Sequence, residues 1–138
     1  MNQVRIFALG GLDEDGKNLT VVEINQDLFV IDVGLKYPDK DRLGVEIIIP
    51  DFKYLIENKQ RIKGIFITHG HDDAMAALPY LIKQVNLPIY TTPLTAKLIE
   101  KLFKEEKLSD YQIKVIKRDD NLNIGKVNIR TFSLTHSI

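Results

Sequence analysis

A chain of 138 residues, 44% hydrophobic and 28% charged, has the size and composition of one soluble domain with a normal core. Its 19 Lys and Arg balance 19 Asp and Glu, so no global basic field advertises a nucleic acid, and the absence of cysteine excludes disulfides and thiolate metal sites. Met1 to Ile6 lacks the apolar core of a signal peptide and no apolar run approaches membrane-spanning length, which predicts a cytoplasmic protein with no membrane partner.

Val4 to Leu9 reads as a first strand, closed by Gly10-Gly11, and Leu12 to Lys17 as an acidic loop. Leu19 to Ile24 and Leu28 to Val33 are β-branched runs joined by Asn25-Gln26-Asp27, a hairpin pattern. Asp32 falls near the end of the second run, where a carboxylate among apolar residues is costly unless paired. From Gly34 to Pro50 the chain is irregular, with a turn at Tyr37-Pro38-Asp39. A short helix follows over Phe52 to Lys59, with Asp51 as its cap.

Ile65 to Ile67 reads as a buried strand, and the pattern after Asp73 as a helix with Ala74, Ala77, Leu78, Leu81, Ile82 and Val85 on one face, kinked at Pro79. Leu87 to Tyr90 is a brief strand. Thr92-Pro93 opens a helix whose apolar side is Leu94, Leu98, Ile99, Leu102 and Phe103, while its mixed-charge side reads as a solvated face rather than an RNA-binding patch. Gln112 to Ile116 is a further strand, and Leu122 to Ile124 with Lys126 to Leu134 a hairpin about Gly125. Strands, then strand-helix units, then a hairpin predict an α/β layered architecture with a mixed sheet flanked by helices. Neither a glycine-rich nucleotide cradle nor a Gly-x-Ser-x-Gly nucleophile is present.

The chemistry concentrates in Thr68-His69-Gly70-His71-Asp72-Asp73, between the Ile65 strand and its helix. One histidine after a strand is ordinarily a loop residue, and an aspartate before an apolar helical stripe is ordinarily an N-cap. Their combination points to a metal site. Alternate residues of an extended segment face the same side, so His69 and His71 can direct both imidazoles to one point, and Asp73 can join them as the backbone enters the helix. His136, the remaining histidine, ends the last strand-like run, so all three can serve one ion, leaving a fourth position for water as in catalytic zinc sites.

Thr68-His69-Gly70-His71-Asp72-Asp73-Ala74 resembles the His-x-His-x-Asp-His signature of metallo-β-lactamase-fold hydrolases. Ala8-Leu9-Gly10-Gly11, Gly16-Lys17-Asn18, Asp32-Val33-Gly34-Leu35, Leu43-Gly44-Val45, Ile48-Ile49-Pro50-Asp51, Leu78-Pro79-Tyr80-Leu81 and Thr135-His136-Ser137-Ile138 are similar to ribonuclease J, of the β-CASP branch. The resemblance implies that residues 1–138 are the N-terminal part of a metallo-β-lactamase αββα sandwich, with the inserted β-CASP domain and a C-terminal domain lying outside them. It matches His69, His71 and His136 to ligands of a first metal, zinc or manganese. Asp73 matches a ligand of a second metal that is also catalytic through the attacking water, and Asp32 the buried aspartate that braces the site. The implied function is RNA processing and decay, rRNA included, by 5′ exonuclease and endonuclease action. The implied partners are RNA and a ribonuclease J paralogue, in a hetero-oligomer, or a second copy in a homodimer.

Where the signature ends in histidine, this sequence has Ala74, which has no donor atom. Losing a supporting partner of a ligand already costs about 10 to 100-fold in metal affinity or activity. The second site is therefore expected to be weak or empty and the activity attenuated, resembling the second, degenerate ribonuclease J paralogue of Firmicutes. A largely non-catalytic subunit and a metallo-hydrolase of another substrate are the competing readings. The sequence also reads as a fragment, and the resemblance implies that an aspartate bridging the two metals and a further histidine lie outside it, so it is expected to be inactive by itself.

Overall fold

Along Leu19–Ile24 (β2) Leu19, Val21 and Glu23 are buried while Thr20, Val22 and Ile24 are half-buried, the two-residue period of a strand with unequal faces. In the computed structural model, which describes residues 1–137, β2 lies between Val4–Gly10 (β1) and Asp27–Ile31 (β3), antiparallel to both. The β2–β3 turn is Asn25-Gln26, with Ile24 facing Asp27 and Asn25 at φ 55°, a conformation that asparagine tolerates. Beyond β3 the sheet continues in parallel through Ile62–Phe66 (β4), Ile89–Thr91 (β5) and Ile113–Val115 (β6), in the order β1-β2-β3-β4-β5-β6. Parallel neighbours require crossovers, supplied by Lys53–Glu57 (α1), by Asp72–Met75 (α2) with Leu78–Gln84 (α3), and by Pro93–Glu105 (α4).

The helices cover one face of the sheet. Leu28, Val30, Ile65, Leu78, Leu81, Ile99 and Phe103 form a continuous core there, each fully buried. On the other face Phe29, Phe66, Tyr90 and Ile116 are buried beside the hairpin Asn121–Ile124 (β7) and Val127–Arg130 (β8), and the Phe66 and Tyr90 rings stack 4.8 Å apart. This is the expected mixed sheet flanked by helices.

Several boundaries differ from the sequence expectation. β3 ends at Ile31, so Asp32 and Val33 leave the ladder. β4 begins at Ile62 and ends at Phe66, leaving Ile67 outside. The helix expected after Asp73 is two helices, because the Ala77 N–H turns away to the Val33 carbonyl at 3.0 Å. Pro79 then sits in the first turn of α3, where its missing donor costs nothing. His71, not an aspartate, is the N-cap of α2, and its side chain makes no capping bond. Helix α1 is shorter than expected, and Asp51 accepts the Lys53 N–H at 2.9 Å. Leu94 belongs to the exposed side of α4, while Thr95 and Ala96 are buried. β8 stops at Arg130, so His136 is reached through an irregular segment, not a strand.

Candidate metal centre

Because β3 and β4 run parallel, their carboxyl ends open on one edge, the place where α/β sheets collect functional loops. Asp32 leaves β3 with φ 62° and donates its N–H to the Phe66 carbonyl at 2.9 Å, tying the two strand ends together. The next residues grip the start of α2. Val33 N–H donates to the Ala74 carbonyl at 2.8 Å, Leu35 N–H to the Asp72 carbonyl at 3.0 Å, and Asn18 N–H to the Asp73 carbonyl at 3.2 Å. Two segments distant in sequence, at Asn18 and at Val33 to Leu35, thus fix the backbone that carries His71 and Asp73.

On this frame the three imidazoles converge. Ring centroids are 4.8 Å apart for His69 and His71, 4.5 Å for His69 and His136, and 4.9 Å for His71 and His136. One ring nitrogen from each lies within 4.8 Å of the other two. His69–His71 is a bend, so strand alternation is not what brings these two rings together; the bend and the long return to His136 do. Ser137 Oγ stands 3.4 Å from His71 Nε2.

Asp73 sits beside them, its Oδ1 3.7 Å from His69 Nε2. Its Oδ2 accepts from Asn18 Nδ2 at 3.2 Å, but Oδ1 is buried with no hydrogen-bond donor. A shielded carboxylate oxygen without a donor is costly. An unpartnered oxygen facing clustered imidazoles is the donor set of a divalent transition metal, so the residues present fit a metal ion. Asp32 stands behind the cluster, accepting from the Thr68 N–H at 2.8 Å and from its hydroxyl at 2.9 and 3.0 Å. Burial pushes the Asp32 carboxyl up to about 6 against the Thr68 hydrogen bonds that favour its charge. His69 is held below the ordinary imidazole value, first by burial and then by His136, which favours the neutral ligand form. Ala74 is fully buried and brings no donor atom to the cluster.

An open cavity of about 820 Å³ adjoins the cluster, lined by His71, Asp73, Lys36 and Tyr37 among others. The Tyr37 hydroxyl donates to Asp72 Oδ2 at 2.7 Å, and this bond raises its pKa. Sequence reasoning assigned no role to Thr68, Asn18 or Tyr37. Thr68 could have been found from its place beside His69, but Asn18 is 55 residues from Asp73 and no local pattern links them.

Residues 12–136 match the model of the metallo-β-lactamase superfamily, and the chain belongs to that superfamily. Within it, the chain is similar to curated proteins named "Ribonuclease J 2". The chain is 40% identical over 136 residues to "Ribonuclease J 2" of Staphylococcus epidermidis and 39% identical over 137 residues to that of Staphylococcus aureus, each match covering 98% of this chain. It spans about a quarter, 24%, of the length of those relatives. Among solved structures, a protein of unknown function from Enterococcus faecalis V583 superposes with a TM-score of 0.69 at 14% identity, over 92% of this chain and 36% of that one. The Rm3 metallo-β-lactamase superposes with a TM-score of 0.51 at 19% identity, over 89% and 49%. These identities speak for the fold alone.

Proposed function

We propose that residues 1–138 are the N-terminal part of the catalytic domain of a metal-dependent ribonuclease of the ribonuclease J type, active as a 5′ exonuclease and endonuclease in cytoplasmic RNA processing and decay. The observation that carries this reading is the meeting of His69, His71 and His136 beside the unpartnered Oδ1 of Asp73. The ribonuclease J 2 relatives supply the substrate class, RNA phosphodiesters. In this reading His69, His71 and His136 hold zinc, or manganese, through neutral ring nitrogens. A bound zinc ion supplies water acidified to a pKa of roughly 7 and a Lewis acid for a phosphoryl oxygen. Asp73 is a ligand of a second metal ion and contributes to activating the attacking water. Asp32 braces His69 from behind, and the cavity beside Tyr37 and Lys36 receives the substrate.

Ala74 favours a second reading on the same fold. With no donor at that position the second metal is weakly held and hydrolysis is slow, which suits a subunit whose main work is to bind RNA and an active paralogue, or a second copy of itself. Among the described residues no helix is long and apolar enough to cross a membrane. The test uses the full-length protein: metal content by mass spectrometry and degradation of a 5′-monophosphorylated RNA, with His71→Ala as control. The ribonuclease reading expects bound metal and cleavage that His71→Ala abolishes. Cleavage indifferent to His71→Ala and to chelation would refute it. Co-purification with the paralogue, with cleavage no faster than in the His71→Ala control, would favour the subunit reading.

A further inference from the structure

The hydroxyl of Thr68 lies between two groups that are otherwise apart. It is 2.9 and 3.0 Å from the two carboxylate oxygens of Asp32 and 2.8 Å from His69 Nδ1. A hydroxyl has one proton to give. An ionised carboxylate only accepts, so in the Asp32–Thr68 contact the hydroxyl must be the donor. That commits its proton and leaves only lone pairs towards His69. A contact of 2.8 Å with Nδ1 is then a hydrogen bond only if Nδ1 carries the proton.

We infer that Thr68 is a positioning residue: the chain from His69 Nδ1–H to the Thr68 hydroxyl to the Asp32 carboxylate fixes His69 as the Nδ1–H tautomer and turns the lone pair of Nε2 into the metal centre. This deepens the metal-centre reading above and rests on it. A second observation agrees with it. His69 Nε2 faces the donorless Asp73 Oδ1 at 3.7 Å, so with the proton on Nδ1 two lone-pair atoms oppose each other, an arrangement that a metal cation beside them would relieve. Histidine ligands generally donate their other ring N–H to a carboxylate, carbonyl or water, which sets tautomer and orientation. Here a carboxylate acts at one remove. Thr68 is exposed, so water competes for its hydroxyl, and the relay holds because the Thr68 N–H also anchors Asp32 at 2.8 Å.

The experiment uses the full-length protein labelled with 15N-histidine, stripped of metal and held at pH 8, with His69 identified by the signal lost in His69→Gln. Long-range proton–nitrogen correlation reads which ring nitrogen carries the proton, and zinc alone is then titrated against a chelator. Expected are Nδ1–H in the unsubstituted protein and a loss of that preference in Thr68→Val. Zinc affinity should fall about 10 to 100-fold in Thr68→Val, and Thr68→Ser should restore both. An Nε2–H His69 in the unsubstituted protein overturns the inference even if Thr68→Val fails to fold, as does a Thr68→Val protein with unaltered tautomer and zinc affinity. If His69 is Nδ1–H but zinc does not bind, the metal-centre reading falls and the tautomer assignment stands. If zinc binds through a differently protonated His69, the reverse holds.

Discussion

Gly34 packs so closely on Asp73 that a Cβ at position 34 would lie 1.6 Å from the Asp73 carbonyl oxygen and 3.0 Å from the Ala74 nitrogen. Both are backbone atoms, already engaged with Asn18 and His71, so neither can yield without dismantling the turn that carries the ligands. We expect Gly34→Ala to cost at least about 3 kcal/mol in chemical denaturation and to abolish metal binding. A Cβ at Gly70 would meet only the flexible end of Leu98, at 2.4 Å, so Gly70→Ala should cost about 1 kcal/mol. Equal effects from the two substitutions would show that the contact between the loops is dispensable.

The raised pKa of Asp32 makes stability pH-dependent. Its carboxyl titrates at about 6 in the folded protein against an ordinary 3.8, so the folded state holds a proton that the unfolded state has released between these values. The contribution to stability is fully present below about 4 and is lost as pH rises through about 6. At 1.36 kcal/mol per pH unit this amounts to at most about 3 kcal/mol, and to less because solvent reaches one side of Asp32. In metal-free protein Asp32→Asn should therefore be stabilising at pH 8 and lose that advantage by pH 4, as read by urea denaturation across pH. With zinc bound it should instead weaken the metal. An advantage independent of pH would contradict the assignment.

Glu23 carries the opposite sign. Buried on the inner face of β2, it is hydrogen bonded to Arg5 and to Arg61, and these two bonds hold its carboxyl below the usual range. Its contribution is present above the ordinary carboxylate value and disappears as pH falls through the lowered one. Glu23→Gln should be destabilising at pH 7 and less so near pH 2, without change in metal affinity. Thermal denaturation at the two pH values, beside a metal titration, checks both halves.

Ala74→His tests the missing ligand. The methyl group is fully buried, so an imidazole must displace neighbours, at a cost of about 1–3 kcal/mol. We nevertheless expect metal stoichiometry and RNA cleavage rate of the full-length protein to rise. A protein that already holds two tightly bound metals and cleaves as fast as the variant would remove the argument for attenuation.

The amino-acid order by itself determined the strands with clean alternation, the helix opened by Thr92-Pro93, and the candidate metal donors His69, His71, Asp73 and His136. These depend on local period and on side-chain chemistry, which a linear chain displays. Only tertiary structure decided that Asp32 leaves its strand in a left-handed conformation, that the helix after His71 breaks at Ala77, and that His136 arrives without a strand beneath it. The first two are settled by a backbone group finding its partner in a distant segment: Asp32 with Phe66, Ala77 with Val33. The same holds for Thr68 and Asn18, whose parts in the site come from hydrogen bonds to Asp32 and Asp73 across 36 and 55 residues of chain. Such pairings satisfy polar groups that no local pattern could, and they turn three scattered histidines into one centre.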